Sequence, residues 1–208
     1  MMGSVELYLV TDRFGFGEDE FLNIVEESIL GGVSIVQLRE KSSSTRDFCD
    51  LALKVKRIAD VYDVPLIIND RVDVALAVGA SGVHLGQSDM PCSVARSIVG
   101  EDMTIGISTH TFRQSLLAER DGADYVGVGA IVETSTKTDA VIATHEELVK
   151  IRDNISIPTV AIGGIKTSNA YDIVKRYGFD CVAVVSEIML SSDPRGTCVD
   201  LLGEINMG

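Results

Sequence analysis

Short apolar runs alternate with amphipathic segments along the whole chain. An apolar run bounded by polar residues is typical of a buried strand in a parallel sheet, and apolar residues at steps of three and four are typical of a helix. The segment Glu18–Leu30 has the helical pattern, and Gly31 and Gly32 after it favour a helix end. The next run, Val33–Leu38, is mostly apolar and predicts a strand. The same two patterns then recur to the end of the chain.

The recurring patterns predict eight strand–helix units. The predicted strands are Val5–Val10, Val33–Leu38, Val64–Ile68, Gly82–Leu85, Thr104–Ile107, Tyr125–Val128, Pro158–Ile162 and Cys181–Val185. The predicted helices are Glu18–Leu30, one from about Thr45, Val72–Val78, one after Pro91, Phe112–Asp121, one near Glu146–Arg152, Ala170–Tyr177 and one near Val199–Ile205. Strands alternating with helices indicate an α/β protein with a parallel sheet. Eight units favour a single-domain (β/α)₈ TIM barrel over residues 1–208, because a doubly wound sheet of this length usually has fewer strands.

The balance of charges excludes some classes of partner. The 208 residues include 18 Lys and Arg against 31 Asp and Glu, which gives a net charge of −13. Nucleic acids and anionic membranes are bound by positive surfaces, so we expect neither as a partner. An acidic chain can bind an anionic small molecule only through a local exception, such as a divalent metal ion held by carboxylates.

The sequence has no features of secretion or of a cysteine metal site. Its start, Met1–Glu6, lacks the basic and apolar segments of a signal peptide, and no run approaches the roughly 20 apolar residues that span a bilayer. The cysteines are scattered without metal-binding spacing, at Cys49, Cys92, Cys181 and Cys198. We therefore expect a reduced, cytoplasmic setting.

The segment Gln37–Lys41, at the end of the second predicted strand, is the first candidate site. Arg39 and Lys41 have the same parity in an extended chain, so both can point towards one spot. Two cations leaving a strand end together suit a phosphate or diphosphate. The alternative is a solvated strand end, with salt bridges to Glu40 and its neighbours.

Polar residues follow most of the other predicted strands, where the active sites of barrels lie. Asp70 and Asp89 follow successive strands, so their carboxylates can approach each other. Two carboxylates favour a hard cation, Mg²⁺ rather than Zn²⁺. Either residue can instead serve as a helix start, since Asp is a common N-cap and Pro91 follows Asp89 closely. Both alternatives remain open from the residues alone.

The last loops offer a second candidate anion site. Gly163 and Gly164 follow the seventh predicted strand and Val185–Ser186 end the eighth, where this fold usually binds phosphate through backbone N–H groups. The hydroxyl-rich segment Thr134–Lys137 can hold another anion or be a solvated loop. His84 lies within an apolar strand, as a functional residue or as a satisfied core histidine.

Taken together, these segments resemble the thiamine-phosphate synthase (thiamin phosphate pyrophosphorylase) family. The similarity extends from Leu7 to Ser186. It is carried by Gln37–Lys41, Ile68–Arg71, Gly82–Asp89, Ile107–Ser108, Thr134–Lys137 and Ala161–Ile165, all in family order. The resemblance implies a Mg²⁺-dependent transferase that joins hydroxymethylpyrimidine diphosphate to thiazole phosphate and releases diphosphate. It implies a dissociative, carbocation-like substitution without a general base.

The resemblance also implies a role for each matching residue. The residues implied to bind the pyrimidine diphosphate are Gln37, Arg39, Lys41 and Asn69, and Leu38 and Glu40 are implied to bind substrate with no choice between the two substrates. Asp70 and Asp89 are implied to hold Mg²⁺, and Ser108 and Lys137 to lie at the reacting centre. The residues implied to bind the thiazole phosphate are Thr134, Thr136, Gly164, Val185 and Ser186. Ser135, Ser108 and Lys137 are also implied to bind substrate.

Two other functions remain as alternatives. One is the related thiazole tautomerase, an isomerase with the same barrel that usually lacks the metal carboxylates and the Thr-x-Thr-Lys loop. The other is a non-catalytic barrel that binds a phosphate ligand. The partners expected from the sequence are small-molecule substrates, with a homo-oligomer as a further possibility.

Overall fold

The computed structural model describes residues 7–133 and 141–206 and shows a closed barrel of parallel strands in sequence order. The strands are β1 Leu7–Val10, β2 Ile35–Leu38, β3 Leu66–Asn69, β4 Gly82–Leu85, β5 Thr104–Thr109, β6 Tyr125–Val128, β7 Thr159–Ile162 and β8 Cys181–Val184. The helices are α1 Glu18–Leu30, α2 Thr45–Val61, α3 Val72–Val78, α4 Cys92–Val99, α5 Phe112–Arg120, α6 His145–Asn154, α7 Thr167–Tyr177, α8 Ser186–Met189 and α9 Pro194–Ile205. The predicted (β/α)₈ TIM barrel is confirmed.

The end of the chain differs from the prediction. A short helix, α8, follows β8 directly, and α9 begins at Pro194 rather than near Val199. The Asp193 side chain caps α9 by accepting a hydrogen bond of 2.9 Å from the Gly196 N–H, and Pro194 occupies the first turn. Asp followed by Pro is a sequence signal for a helix start, so this boundary was readable from the residues.

The strands bury both of their faces, which explains why they read as nearly continuous apolar runs. On β1, Leu7 and Leu9 pack between the barrel and the helices, whereas Tyr8 and Val10 point into the barrel. The interior layer consists of Tyr8, Val10, Ile35, Ile67, Tyr125, Val160, Cys181 and Ala183. Two tyrosines in this layer place hydroxyl groups inside the barrel, where they need hydrogen-bond partners.

Several connections use the sequence signals expected of a strand–helix turn. The side chains of Ser44, Thr111 and Thr144 cap α2, α5 and α6 by accepting backbone N–H groups. Gly79 ends α3 in the left-handed conformation that glycine adopts without strain. Within residues 7–133 and 141–206, no helix has both the length and the apolarity needed to cross a membrane.

Replacing Phe48 by Ala should lower the free energy of unfolding by about 3–5 kcal/mol, because the ring is lost and a cavity remains. Phe48 is 1% exposed in the layer between α2 and the barrel. Val61, on the same helix, is 73% exposed, so Val61→Ala should change the free energy by less than about 0.5 kcal/mol. Urea unfolding followed by circular dichroism measures both. Similar losses in the two variants would contradict the packing of this face.

Candidate active site

A cavity of about 670 Å³ opens at the mouth of the barrel where the strands have their carboxyl ends. This volume lies within the range of small-molecule sites. The wall includes residues from the ends of β2, β3, β4 and β5 and from the turns after β6, β7 and β8. Parallel strands bring residues from distant parts of the sequence to this mouth.

Alternate residues after β2 face the cavity. Gln37, Arg39 and Lys41 line it, as the shared parity predicts. Leu38 is fully buried in the layer between barrel and helices, and its side chain does not line the cavity. The Glu40 side chain is 5% exposed and also lies outside the cavity lining, with Oε1 3.8 Å from Arg13 Nε. Both side chains therefore point to the other face of the extended chain, and the substrate contacts that the resemblance implies at Leu38 and Glu40 stay predictions.

Each cation in this segment is paired with a carboxylate from a neighbouring strand end. Arg39 forms an ion pair with Asp12, which follows β1. Lys41 Nζ lies 2.5 Å from Asp70 Oδ2, after β3. The salt-bridge alternative was therefore correct that the cations are paired and wrong about Glu40 as the partner. Partly exposed pairs of this kind contribute little to stability, so an anionic ligand can compete for the cations.

Asp70 and Asp89 lie together at the cavity wall. Asp70 has a positive φ of 65° and its N–H donates to the His84 carbonyl at 2.8 Å. The Asp89 carboxylate accepts a hydrogen bond of 2.7 Å from the Gly86 N–H. Burial raises the pKa of Asp89, the Gly86 bond opposes this, and the neighbouring carboxylate of Asp70 raises it further.

The helix-cap alternative for both aspartates is wrong. The N-cap position of α3 is occupied by Arg71 and that of α4 by Pro91, and neither helix start has a side-chain cap. The described residues include no group of three or more His, Cys, Asp and Glu side chains arranged for a metal ion. Two adjacent carboxylates, one of them paired with Lys41, fit Mg²⁺, which commonly takes one or two carboxylates and completes its shell with water and phosphate oxygens.

Asn69 has an unsatisfied donor in the cavity wall. The residue is 7% exposed, and its buried Nδ2 has no hydrogen-bond partner within residues 7–133 and 141–206. A buried donor without a partner costs about 1–3 kcal/mol. Since Asn69 lines the cavity beside Asp70, an oxygen of a bound ligand can supply the missing acceptor.

His84 belongs both to the barrel interior and to the cavity wall. Its Nδ1 lies 2.9 Å from the Tyr125 hydroxyl, and its Nε2 lies 2.8 Å from Ser108 Oγ. Burial lowers the pKa of His84 to about 4, against a smaller opposing effect of Asp70. The imidazole is therefore neutral at physiological pH, with both ring nitrogens engaged.

The turns after β7 and β8 form the opposite side of the cavity. Gly163, Gly164, Val185 and Ser186 all line it. Gly164 has a φ of 69°, and a Cβ there would lie 2.7 Å from the Glu133 carbonyl oxygen. Glycine is thus required for its backbone conformation and for close approach to the preceding loop.

Four predicted site residues lie outside the described part of the chain, and several lining residues had no predicted role. Thr134, Ser135, Thr136 and Lys137 lie outside the described residues, so their predicted roles stay predictions. The lining residues that the sequence interpretation missed or assigned no role include Gln87, His110 and Lys166. Lys166 was detectable as the first cation after the glycine pair that follows β7.

Comparison with known proteins gives consistent results. A family model described as thiamine monophosphate synthase matches residues 7–188. The thiamine-phosphate synthase of Methanobrevibacter smithii is 51% identical over 200 residues, covering 96% of this chain and 95% of that protein. The thiamine-phosphate synthase of Clostridium acetobutylicum is 52% identical over 184 residues, covering 88% and 87%. The solved thiamine phosphate pyrophosphorylase from Pyrococcus furiosus superposes with a TM-score of 0.90 at 37% identity, covering 99% of this chain and 98% of that one.

The buried His84 predicts a loss of stability in acid. Its pKa is about 4 in the folded protein against 6.5 for an ordinary histidine. The unfolded state therefore binds more protons between these values, so the free energy of unfolding should fall as the pH drops from 6.5 to 4. Denaturant titrations across this range should show a shallower fall for His84→Gln, which cannot titrate. Parallel pH profiles for the two proteins would contradict the prediction.

Proposed function

The chain belongs to the thiamine monophosphate synthase family and has the transferase activity of a thiamine-phosphate synthase, and we propose that it joins hydroxymethylpyrimidine diphosphate to thiazole phosphate. One observation carries the choice of substrates. Two cations and two adjacent carboxylates line the same cavity, namely Arg39, Lys41, Asp70 and Asp89. Cations together with a carboxylate pair suit a diphosphate that arrives with a divalent metal ion.

Asp70 and Asp89 would hold Mg²⁺ in this proposal. Bound there, the ion would supply positive charge that offsets the charge developing on the departing diphosphate. Lys41, now paired with Asp70, would turn to the diphosphate oxygens when the metal ion takes over the carboxylate. Arg39 would do the same in exchange for Asp12. Asn69 Nδ2, which has no partner in the described structure, would donate to one of these oxygens.

The bond between the pyrimidine methylene and the diphosphate oxygen breaks in the proposed reaction, and a bond to the thiazole nitrogen forms. The electron pair of the broken bond leaves with the diphosphate, and the aminopyrimidine ring delocalises the positive charge left on the methylene. The thiazole nitrogen has a lone pair and needs to be positioned but not deprotonated. The environment of His84 is consistent with this, because both ring nitrogens are occupied and the imidazole is not free to act as a base.

The thiazole phosphate would bind on the far side of the cavity. Gly164, Val185 and Ser186 line this side, and the positive φ of Gly164 lets the backbone approach an anion closely. We include Lys166, a further cation of the lining. The segment Thr134–Lys137 completes this part of the proposal from the resemblance alone. A homo-oligomeric assembly and a cytoplasmic location stay predictions from the sequence.

Diphosphate should be released only when both substrates and Mg²⁺ are present, because the thiazole nitrogen captures the pyrimidine methylene. A coupled assay of diphosphate, together with fluorescence of the thiamine product after oxidation, measures release and coupling in one sample. Release at the same rate without the thiazole phosphate would identify a hydrolase. Interconversion of thiazole phosphate tautomers without diphosphate release would identify the tautomerase instead.

Replacing Asp89 by Asn should remove the response to Mg²⁺ while leaving the fold intact, because the amide keeps an acceptor for the Gly86 N–H but loses the charge. We expect kcat to fall by about 100-fold or more, the scale for losing a group that stabilises developing charge. Mg²⁺ with inorganic diphosphate should raise the Tm of the wild type and have little effect on the Tm of the variant. Thermal unfolding with and without these ions measures this independently of turnover.

Asp73→Asn is the matched control for Asp89→Asn. Asp73 pairs with Arg71 at 2.5 Å, its side chain is 61% exposed, and it does not line the cavity. This variant should keep both the wild-type kcat and the Mg²⁺-dependent rise in Tm. Wild-type behaviour of Asp89→Asn in both measurements would contradict the proposed metal site.

A further inference from the structure

We infer that a buried chain of hydrogen bonds couples the hydrogen-bonding polarity of Gln37 to that of Ser108, so that together they offer a ring substrate one acceptor and one donor. The chain crosses the inside of the barrel between these two residues of the cavity wall. It assigns positioning roles to Tyr8, Tyr125 and His84. The inference rests on the proposed function, because it concerns the pocket for the pyrimidine ring.

Every link of the chain is at hydrogen-bond distance. Gln37 Nε2 lies 2.8 Å from the Tyr8 hydroxyl, which lies 2.9 Å from the Tyr125 hydroxyl. Tyr125 is 2.9 Å from His84 Nδ1, and His84 Nε2 is 2.8 Å from Ser108 Oγ. The three inner residues are buried, with Tyr8 and Tyr125 each 1% exposed and His84 8% exposed. At this depth each unpaired polar group is costly, so every proton in the chain needs an acceptor.

The count of protons fixes the direction of each bond. Gln37 donates an amide N–H to Tyr8, so the single Tyr8 proton is free to go to Tyr125. Tyr125 then accepts from Tyr8 and donates its own proton to His84 Nδ1. A neutral imidazole that accepts at Nδ1 carries its proton at Nε2 and donates it to Ser108. Ser108 therefore keeps its hydroxyl proton for the cavity, and Gln37 keeps its carbonyl oxygen.

Only one other arrangement satisfies every group in the chain. Rotating the Gln37 amide reverses all the bonds, so that Ser108 donates inward and Gln37 presents its NH₂ to the cavity. In mixed arrangements either one hydroxyl accepts from both neighbours and its own buried proton has no acceptor in the chain, or one link has two acceptors with no proton between them. The two ends are therefore always complementary: when one offers an acceptor, the other offers a donor.

An aminopyrimidine matches the first arrangement. Its exocyclic amino group donates, which suits the Gln37 carbonyl oxygen. Its ring nitrogens accept, which suits the Ser108 hydroxyl. A ring that presents two donors or two acceptors to these residues would leave a buried group of the chain unpaired, and such mismatches are strongly discriminated against.

The neighbouring backbone leaves room for the hydrogen-bonded side chains and holds them in place. A Cβ at Gly106 would lie 2.0 Å from Tyr125 Cζ and 2.5 Å from His84 Nδ1. A Cβ at Gly127 would lie 3.1 Å from His84 Cε1. Glycine at these two strand positions lets both rings pack directly against the backbone. Glycine weakens a strand interior and often marks such a close approach.

Tyr125→Phe tests the chain by removing its central hydroxyl while keeping the ring. Titration with hydroxymethylpyrimidine diphosphate and Mg²⁺, without the second substrate, should show a Kd raised by about tenfold, the scale of a hydrogen bond or two. The KM for the thiazole phosphate should not change. Tyr8→Phe breaks the adjacent link and should raise the same Kd by the same factor. If Tyr125→Phe does not fold, Tyr8→Phe tests the inference in its place. The double variant should lose no more than either single variant, because one break already uncouples the ends.

Tyr177→Phe is the matched control. The Tyr177 hydroxyl lies 3.1 Å from His145 Nδ1, a similar tyrosine–histidine pair outside the cavity lining. Removing it should leave the Kd for the pyrimidine diphosphate unchanged. An unchanged Kd in Tyr125→Phe, or losses in Tyr8→Phe and Tyr125→Phe that multiply in the double variant, would overturn the inference.

The tautomer of His84 gives a readout that a merely structural role would not change. In ¹⁵N spectra of the wild type with pyrimidine diphosphate bound, His84 should carry its proton at Nε2. In Tyr125→Phe the signal should report a mixture of tautomers. His84→Gln identifies the signal among the three histidines of the chain. A mixture of tautomers in the wild-type complex, like that expected of Tyr125→Phe, would overturn the inference.

Failure of the inference and failure of the proposed function are distinguishable. Binding of the pyrimidine diphosphate by the wild type with no dependence on Tyr8 or Tyr125 overturns the inference alone. Absence of binding by the wild type overturns the choice of substrate, and the inference with it.

Discussion

The parallel pairing of β8 with β1 closes the barrel, and the position of every residue in the cavity depends on that closure. The register sets Leu7 beside Val182 and Leu9 beside Val184, so the first and last strands end at the same level. Because each strand is parallel to its neighbours, the carboxyl ends surround one mouth. Closure therefore brings Arg39 and Ser186 to one cavity although they lie at opposite ends of the chain.

An acidic chain that binds anions has to keep its few cavity cations in place before the ligand arrives. Arg39 and Lys41 are held by Asp12 and Asp70, which come from the two strand ends on either side of β2. Such partly exposed pairs contribute roughly 0–1 kcal/mol, so their replacement by stronger interactions with a metal-bound diphosphate costs little. The two carboxylates of Asp70 and Asp89, by contrast, favour the binding of a cation. Burial and, to a smaller extent, the repulsion from Asp70 raise the pKa of Asp89, and a divalent cation would offset both effects.

The features readable from the sequence were those with a local signal. The strands, the parity of Arg39 and Lys41, and the glycine turn after β7 all follow from periodicity and residue type. The roles of the segment Thr134–Lys137 came from the resemblance and stay predictions. The same parity turns the Glu40 side chain away from the cavity, but its neighbour Arg13 was not readable, because Arg13 lies in the loop after β1.

Other features depend on contacts across the closed barrel. Excluding Asp70 as the cap of α3 needed the backbone geometry at the start of that helix. The unsatisfied Asn69 donor could not be predicted, because it depends on the absence of a hydrogen-bond acceptor among its neighbours in the described structure. The environment of His84 joins residues from β1, β2, β4, β5 and β6, whose separation in sequence conceals their contact.

The barrel interior contains buried polar groups, and not only apolar side chains, where it meets the cavity. Tyr8 and Tyr125 occupy positions that Leu or Phe would fill without any demand for hydrogen bonds, and burial raises the pKa of both hydroxyls. Buried polar groups of this kind are tolerated only when every one is paired. Their pairing is completed by Gln37 and Ser108, which lie at the cavity wall. An apolar interior would leave these two side chains free to rotate, whereas the hydrogen-bonded chain restricts them to complementary orientations before a substrate binds.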